Sequence, residues 1–180
     1  DKFGLNEYRA GAMASNQDPI PRPLSLYVHI PFCSSPCFYC GCTKVITRNH
    51  EKAEAYLYRL HREIEMQGDL YDSDRVVEQL HFGGGTPTYL DDLHIGEILE
   101  AINNGFGIAD GAEVALESDP RTLTRERAKV LASQGFNRIS FGVQDFALPV
   151  QMRINRLQTF GLVAAATEFL RAAGFASVNF

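Results

Sequence analysis

All four cysteines of this 180-residue chain lie within a stretch of ten residues, at positions 33, 37, 40 and 42. Cys33, Cys37 and Cys40 follow the spacing C-x3-C-x2-C, and Tyr39 directly precedes the third cysteine. Three thiolates at this spacing can hold one face of a cubane iron–sulfur cluster and leave its fourth iron without a protein ligand. An iron with an open position is a place for substrate chemistry. The spacing therefore indicates a cluster that takes part in a reaction.

The cysteines allow two other interpretations. All-cysteine zinc sites are common, but they are usually built from two separated C-x2-C pairs, whereas Cys42 comes only two residues after Cys40. A disulfide framework is disfavoured, because a chain of this length with one local cysteine cluster and no signal peptide is typical of an intracellular protein. The cluster is the favoured interpretation, and a non-catalytic zinc-binding scaffold stays open as an alternative.

The composition limits the classes of ligand. Hydrophobic residues make up 45% of the chain and charged residues 22%, which is typical of an ordered globular protein. The net charge of −5 argues against a nucleic-acid surface that relies on bulk positive charge. No apolar run approaches the roughly 20 residues that span a bilayer. We therefore expect a cytoplasmic protein that binds a small molecule and has neither a nucleic-acid nor a membrane partner.

Two regions of unequal length are predicted along the chain. Residues 1–23 show neither a strand nor a helix period and contain Pro19, Pro21 and Pro23, so we interpret them as an N-terminal arm. From residue 24 to residue 180, strand-like and helical segments alternate, which predicts an α/β fold with a parallel sheet flanked by helices. The predicted strands are Leu24–Ile30, Val76–Phe82, Glu113–Ser118, Phe136–Gly142 and Phe175–Phe180.

Three predicted helices separate these strands, and each has an apolar stripe at helical spacing. Asn49 can cap the first helix, Asp91–Asn104 is the second and Thr124–Gln134 the third. The stripes are Ala53, Leu57, Leu60 and Ile64 in the first helix, Ile95, Ile98, Leu99 and Ile102 in the second, and Ala128, Val130 and Leu131 in the third. Gly-Phe pairs at 105–106, 135–136 and 174–175 predict helix ends at which glycine takes the left-handed conformation.

The repeated βα units favour a TIM-like barrel, but the chain is short for a complete one. An eight-stranded barrel takes roughly 250 residues, whereas this chain stops on its fifth predicted strand at Phe180. We therefore predict a truncated, partial (β/α) barrel of about five βα units over residues 24–180, incomplete at its C-terminus. Such a piece is expected to bind a cofactor without completing a substrate cavity, so the activity of the fragment alone stays an open question.

Polar or glycine-rich segments follow the second, third and fourth predicted strands. Three glycines in the segment 81–88 let the backbone approach a ligand more closely than a Cβ atom permits, although a tight turn before a helix is an alternative. Glu117 ends the third strand, Gln144 follows the fourth, and Arg156 offers a planar fork suited to a carboxylate. A solvated acid and an exposed helix arginine are the alternatives for Glu117 and Arg156. Because parallel strands end at one edge, these residues are expected to face the cysteine loop.

Together, the cysteine triad, the glycine-rich segment and the polar strand ends resemble the signature of the radical S-adenosylmethionine (radical SAM) superfamily. The resemblance covers residues from about 21 to 180. It implies a barrel fold of the radical SAM type and an oxidoreductase that uses a 4Fe–4S cluster and S-adenosylmethionine. It also implies that Cys33, Cys37 and Cys40 bind the cluster and that the open iron binds S-adenosylmethionine, which an electron from the cluster cleaves to a deoxyadenosyl radical.

The resemblance also assigns residues to S-adenosylmethionine. The implied set is Tyr27, Tyr39, Gly84, Gly85, Thr86, Glu117, Gln144 and Arg156. In the superfamily, the glycine-rich positions contact the methionyl amino group, the aromatic residue before the third cysteine meets the adenine, and the matching Glu, Gln and Arg contact the cofactor. Packing over the cluster is the alternative role for Tyr39.

Three residues are candidates for a catalytic role. Tyr27 and His29 alternate on the first predicted strand and therefore face the same side. The position of Tyr27 contacts the sulfonium end of the cofactor in the superfamily, whereas a packing role is the alternative for His29. Cys42 matches an additional cysteine that one branch contains and that does not bind the cluster there; a spectator thiol is its alternative.

Five strings resemble a branch that converts coproporphyrinogen III to protoporphyrinogen IX without oxygen, in heme biosynthesis. They are residues 27–33, 40–44, 83–88, 142–146 and 154–156. The implied reaction removes a hydrogen atom from the β-carbon of a propionate, releases carbon dioxide, passes one electron to an acceptor and leaves a vinyl group. A related group of heme chaperones is the alternative.

The same resemblance implies the partners. They are coproporphyrinogen III and a reducing electron donor such as flavodoxin or ferredoxin, and the full-length protein is expected to be a monomer. A tetracarboxylate substrate needs local cations in an acidic protein, and Lys44 and Arg48, soon after the cysteines, are the residues we expect to contribute.

Overall fold

The structure, a computed structural model, describes residues 3–180 and contains a five-stranded parallel sheet together with a small two-stranded sheet. The strands are β1 (Leu24–Ile30), β2 (Phe32–Cys33), β3 (Val45–Ile46), β4 (Val77–Gly84), β5 (Ile108–Ser118), β6 (Arg138–Phe141) and β7 (Ser177–Asn179). The helices are α1 (Leu5–Asn16), α2 (Glu51–Gly68), α3 (Asp92–Phe106), α4 (Arg125–Ser133), α5 (Leu148–Arg153) and α6 (Phe160–Ala173). None of the helices within residues 3–180 has both the length and the apolar composition needed to cross a bilayer.

The large sheet has the strand order β1-β4-β5-β6-β7, and every neighbouring pair is parallel. This arrangement confirms the predicted α/β fold of successive βα units. The main difference lies in β5, which begins at Ile108 rather than at Glu113. Its first part contains Asp110 and Gly111, the latter at φ 79°, so this part has no alternation of apolar residues that a sequence pattern could reveal.

The two faces of the large sheet have different chemistry. One face consists of buried apolar residues such as Val28, Phe82 and Leu116, which share a hydrophobic core with the helices. The residues between them form a polar face, where the register sets Tyr27 beside His81. Glu117 lies beside Ser140 on the same face. Because successive side chains of a strand point to opposite sides, the apolar contacts with the helices fix which polar residues the other face presents.

The predicted apolar stripes of α2 and α3 are all buried, which confirms both helices. In α4, Ala128 and Leu131 are buried, but Val130 is 37% exposed, so its predicted place in the core is wrong. The capping prediction is also imprecise, because His50 is the residue before α2. Asn49 precedes it, and its Oδ1 atom accepts a hydrogen bond from the Glu51 N–H at 3.0 Å.

The Gly-Phe pairs behave as predicted at two of three places. Gly135 and Gly174 have φ angles of 100° and 101°, the left-handed conformation expected at a helix end. Gly105 lies inside α3, which continues through Phe106, and the residue with a positive φ is Gly107, at φ 71°. The prediction at Gly105 is therefore wrong, because burial of Phe106 extends the helix by a further residue.

The N-terminal arm contains the helix α1, which was not predicted because residues 1–23 show no apolar period. Ala12 is the residue of α1 that is buried, so the packing of this helix produces no apolar stripe in the sequence. Contacts with distant parts of the chain hold the arm instead. Arg75 donates hydrogen bonds to Ser15 Oγ at 2.6 Å and to the Arg22 carbonyl at 2.8 Å, and the Tyr8 hydroxyl donates to Gln67. Tertiary contacts therefore order the arm.

Candidate functional site at the carboxyl end of the sheet

A cavity of about 790 Å³ lies where the cysteine loop meets the carboxyl ends of the strands. It gathers most of the residues that the sequence singled out. Those that line it are Cys33, Cys37, Tyr39, Cys40, Cys42, Lys44, Gly84, Gly85, Thr86, Glu117, Gln144 and Arg156. Tyr27, His29 and Arg48 are not among the lining residues, so Arg48 gains no support as a cation for a bound substrate.

The cysteine loop is closed at its base by the small sheet of β2 and β3. The Pro31 carbonyl accepts from the Val45 N–H at 2.7 Å, and the Cys33 carbonyl accepts from the Thr47 N–H at 2.9 Å. Inside the loop, Lys44 Nζ donates to the carbonyl of Cys40 at 2.7 Å. These bonds fix where the loop leaves and re-enters the fold. The pairing of two-residue strands was not predicted, because such short segments have no recognisable period.

All four cysteines are free thiols; Cys42 is exposed and the other three are partly buried. Burial alone raises the pKa of the Cys40 thiol, but hydrogen bonds from Cys42 and the charge of Lys44 outweigh burial and lower this pKa. The hydrogen bond to Cys40 raises the pKa of Cys42, which therefore keeps its proton more firmly. Burial likewise raises the pKa of Cys33. Among residues 3–180, no three His, Cys, Asp or Glu side chains are placed to hold a single metal ion.

The glycine-rich segment at the end of β4 lies directly against the start of the cysteine loop. The Gly85 N–H donates to the Ile30 carbonyl at 2.8 Å, and the Thr86 N–H donates to the Phe32 carbonyl at 2.9 Å. Thr86 Oγ1 is also 3.4 Å from Cys33 Sγ. A Cβ atom on Gly85 would lie 2.8 Å from the Phe32 carbonyl oxygen. The absence of a side chain at this position therefore permits close contact between two loops of the protein.

Replacing Gly85 by alanine is expected to destabilise the fold by about 1–3 kcal/mol, because the added methyl group meets backbone atoms that cannot rotate away. Gly41 provides a matched control in the cysteine loop, since a Cβ atom there would have no neighbour within 4 Å. Gly41→Ala should change the free energy of unfolding by less than about 0.5 kcal/mol. Urea unfolding followed by circular dichroism measures both; equal stabilities of the two variants would contradict the clash.

Glu117 lies between the glycine-rich segment and the polar face of the sheet. Its Oε2 atom accepts a hydrogen bond from the Gly84 N–H at 3.1 Å, and its Oε1 atom is 3.6 Å from His81 Nε2. The His81 ring stacks on Tyr27, whose hydroxyl is 3.2 Å from His29 Nδ1. Tyr27 and His29 thus belong to a polar network that reaches the cavity through His81 and Glu117.

Arg156 enters the cavity from the segment after α5, and its side chain is 11% exposed. Its Nη1 atom lies 3.5 Å from Cys37 Sγ and 3.8 Å from Asp119 Oδ2. Its Nε atom is buried and has no hydrogen-bond partner within the described residues. Gln144 also lines the cavity, is exposed and has a left-handed backbone at φ 67°. The site therefore offers a spare, directed N–H donor beside the thiols.

Asp119 and Arg121 are residues of this site that the sequence did not single out. Arg121 Nε donates to Asp119 Oδ1 at 2.9 Å and Arg121 Nη2 to Oδ2 at 2.5 Å. Burial alone raises the pKa of Asp119, but the hydrogen bonds from Arg121 and the charge of Arg156 outweigh burial and hold the pKa below its usual value. A signal was available, because Asp119 directly follows β5, at the same strand end as Glu117.

Comparisons with known proteins find one family and several close relatives. The family model described as the Radical SAM superfamily matches residues 27–180. The oxygen-independent coproporphyrinogen III oxidase of Salmonella typhimurium is 45% identical over 158 residues, which cover 88% of this chain and 34% of that protein. The enzyme of the same name from Helicobacter pylori strain J99 is 40% identical over 99% of this chain and 40% of its own length.

Two solved structures are similar. Coproporphyrinogen III oxidase (HemN) from Escherichia coli, a radical SAM enzyme, matches with a TM-score of 0.90 and 42% identity over 98% of this chain and 40% of that one. Methylornithine synthase (PylB) matches with a TM-score of 0.52 and 11% identity over 99% of this chain and 51% of that one, a likeness of fold alone. This chain thus spans about 34–40% of the length of the oxidases that it matches.

Proposed function

Because the chain belongs to the radical SAM superfamily, whose cofactors are a 4Fe–4S cluster and S-adenosylmethionine, we propose that it forms the cofactor-binding part of an oxygen-independent coproporphyrinogen III oxidase. Oxygen-independent coproporphyrinogen III oxidases from other organisms are 40–45% identical to it. The observation that supports the proposal most directly is that one cavity collects three partly buried thiols, an arginine whose side chain is 11% exposed and a glycine-rich backbone. The proposed reaction is the oxidative decarboxylation of coproporphyrinogen III to protoporphyrinogen IX.

The donor set fits an iron–sulfur cluster. Cys33, Cys37 and Cys40 are unpaired thiols on one closed loop, and thiolate sulfur is the ligand that such clusters take from proteins. We assign these three as the cluster ligands. Cys42 is exposed and lies outside the C-x3-C-x2-C spacing, so we do not assign it to the cluster.

The other cavity residues fit the amino-acid end of S-adenosylmethionine. The buried, unpartnered Nε atom of Arg156 suits the carboxylate or a ribose oxygen. The carboxylate of Glu117 and the backbone carbonyl groups of Gly84, Gly85 and Thr86 suit its positively charged groups. Tyr39 and Gln144, which also line the cavity, are assigned to the adenosyl part. Tyr27 and His29 are assigned to the cavity's edge, through the network that ends at Glu117.

When bound and given one electron by a reductant, the two cofactors would supply a deoxyadenosyl radical, the acceptor for one hydrogen atom from the β-carbon of a substrate propionate. The remaining carboxylate leaves as carbon dioxide, one electron passes to an acceptor, and a vinyl group forms. The residues of this chain position the reactants and balance charge. Four basic side chains, Lys44, Arg121, Arg127 and Arg156, and three acidic ones, Asp91, Glu117 and Asp119, line the cavity. Arg121 is paired with Asp119 and Arg127 with Asp92, so Lys44, which has no ion-pair partner among the described residues, is the cation proposed to meet a carboxylate of the substrate.

Three further assignments complete the proposal. A flavodoxin or ferredoxin is the proposed electron donor, because the cysteine loop is open to solvent at Phe38, which is 71% exposed. The full-length protein is proposed to be a monomer. A cytoplasmic location is proposed because all four cysteines are free thiols.

The decisive experiment follows deuterium from the substrate to the cofactor. The full-length protein is reconstituted with iron and sulfide without oxygen, reduced, and mixed with S-adenosylmethionine and coproporphyrinogen III deuterated at the propionate β-carbons. We expect deuterium-labelled deoxyadenosine, detected by mass spectrometry, and none from Cys37→Ala protein. Unlabelled deoxyadenosine, formed in equal amounts with and without the porphyrinogen, would contradict the assignment of coproporphyrinogen III as the substrate. Tight heme binding with no deoxyadenosine would favour the chaperone, and stoichiometric zinc with no cluster would favour the scaffold.

A further inference from the structure

The segment Ile154–Arg156 contacts the cysteine loop residue by residue at Pro36–Phe38. We propose that Asn155 is a positioning residue whose side chain holds the middle of the cysteine loop, and so fixes where the Cys37 sulfur points. The inference depends on the proposed function only where it concerns a cluster bound to Cys37. Its first test needs no cofactor.

Three consecutive contacts define this clamp, by which we mean residues 154–156. The Ile154 carbonyl accepts a hydrogen bond from the Phe38 N–H at 3.0 Å. Asn155 Nδ2 donates to the Pro36 carbonyl at 2.7 Å. Arg156 Nη1 lies 3.5 Å from Cys37 Sγ. The residues on either side of Cys37 are therefore bonded to the same short segment that also contacts its sulfur.

The rest of the loop is held elsewhere. Cys33 belongs to β2 and contacts Thr86, and Cys40 receives a hydrogen bond at its carbonyl from Lys44. Among residues 3–180, the hydrogen bonds that tie Pro36 and Phe38 to a distant segment are those from the clamp. Of the three thiols, Cys37 is therefore the one whose backbone position depends on the clamp.

The backbone of Asn155 explains why this residue type is suited to the position. Its φ angle is 55°, in the left-handed region that asparagine adopts more readily than most residues with a Cβ atom. This conformation turns the chain after α5 so that the side chain of Asn155 and that of Arg156 both reach the cysteine loop. Glycine would also accept the backbone angle, but it would lack the amide that donates to Pro36.

Two buried glutamines fasten the clamp to the large sheet. Gln151 Nε2 donates to the carbonyls of Gln158 at 2.7 Å and Asp145 at 2.8 Å, and its Oε1 atom accepts from the Gln158 N–H at 3.0 Å. Gln158 Nε2 in turn donates to the Gly142 carbonyl, just after β6, at 3.2 Å. The Arg156 N–H donates to the Gln151 carbonyl at 2.9 Å. The clamp is therefore supported at both ends by amides that are shielded from water.

Two substitutions test the clamp, because both remove the donor and keep a residue that tolerates the backbone angle. Asn155→Gly and Asn155→Asp are compared with Asn104→Asp, which makes the same change on the exposed surface of α3. The readout is amide hydrogen exchange at Phe38, whose N–H is bonded to Ile154. We expect exchange about fivefold to tenfold faster in both Asn155 variants, the size of effect that one lost hydrogen bond produces, and no change in the control.

A second readout compares two thiols within one molecule. In cluster-free Asn155→Gly protein, alkylation of Cys37 should become several-fold faster relative to Cys33, whose contact with Thr86 is unaffected. Equal acceleration at both thiols would indicate general loosening and would contradict the proposal. Unchanged hydrogen exchange at Phe38 would also contradict the proposal. Faster exchange in Asn155→Gly protein but not in Asn155→Asp protein would show that backbone freedom causes the effect, and would overturn the role of the side chain.

The cluster supplies the final readout. In reconstituted protein we expect both Asn155 variants to bind iron in the wild-type amount but to show an altered electron paramagnetic resonance spectrum of the reduced cluster, because one ligand has shifted. An unaltered spectrum would overturn the effect on the Cys37 sulfur. Because the exchange and alkylation measurements use cluster-free protein, a failure of the clamp is distinguishable from a failure of the chain to bind a cluster.

Discussion

Replacing Cys33, Cys37 or Cys40 by alanine is expected to abolish binding of the 4Fe–4S cluster, whereas the Cys42→Ala protein keeps it. Each of the three removes one of the thiolates assigned to the cluster, and Cys42, the fourth thiol that lines the cavity, is exposed and lies outside the C-x3-C-x2-C spacing. Iron and sulfide content after anaerobic reconstitution, together with the broad visible absorbance of the cluster, measures the result. We expect background values for the three variants and the wild-type value for Cys42→Ala.

The Cys42→Ala variant tests whether the cluster has three protein ligands or four. Cys42 is two residues from Cys40 in the sequence and also lines the cavity. Loss of the cluster from Cys42→Ala protein would therefore contradict the assignment of three ligands. Melting curves of the four cluster-free variants control for unfolding, since the partly buried thiols are small and their loss should cost little stability.

Replacing Arg156 by glutamine is expected to weaken binding of S-adenosylmethionine about 100-fold while the cluster stays bound. The physical reason is that the substitution removes a charged hydrogen-bond donor. Because the Arg156 side chain is only 11% exposed, solvent water cannot easily replace that donor. Arg156→Lys should also bind weakly, because an ammonium group lacks the buried Nε donor and the planar fork. Equilibrium dialysis with labelled S-adenosylmethionine, on reconstituted protein, measures the affinity.

Arg48 provides the matched control for this experiment. It is an exposed arginine just beyond the cysteine loop and does not line the cavity. Arg48→Gln changes the net charge by the same amount, so wild-type affinity in that variant would separate the local contact from the overall charge. Wild-type affinity in Arg156→Gln protein would contradict the assignment of Arg156 to the cofactor. The buried Asp119 keeps its paired Arg121 in this variant, which limits the damage to the fold.

The fold was predictable from the sequence where packing follows a short period. The stripes of α2 and α3 are recognisable because a helix that packs on a sheet must present apolar residues every third or fourth position. Gly135 and Gly174 were predictable for a similar reason, since a left-handed residue at a helix end is usually glycine. The residues around the cavity were predictable as a group, because parallel strands deliver their carboxyl ends to one edge of the sheet.

What the sequence did not reveal depends on contacts between distant residues. Helix α1 is held by Arg75, which lies far along the chain, and it has almost no apolar stripe of its own. The role of Asn155 depends on a hydrogen bond to Pro36, and no local pattern marks the pair. Tyr27 and His29 were expected on one face and lie there, but their link to the cavity through His81 depends on strand pairing. Periodicity describes neighbours along the chain, whereas these features arise from the topology.

The clamp has a consequence for the order in which the protein matures. Pro36 and Asn155, and likewise Cys37 and Arg156, are separated by 119 positions. A polypeptide leaving the ribosome therefore exposes its thiols long before the segment that steadies them has been synthesised. Closing so long a loop is also entropically costly and is favoured only once the intervening strands have paired. Iron delivery is thus expected to follow translation and folding, and a nascent chain that stops before Ile154 presents its cysteines to metals and oxidants without this support.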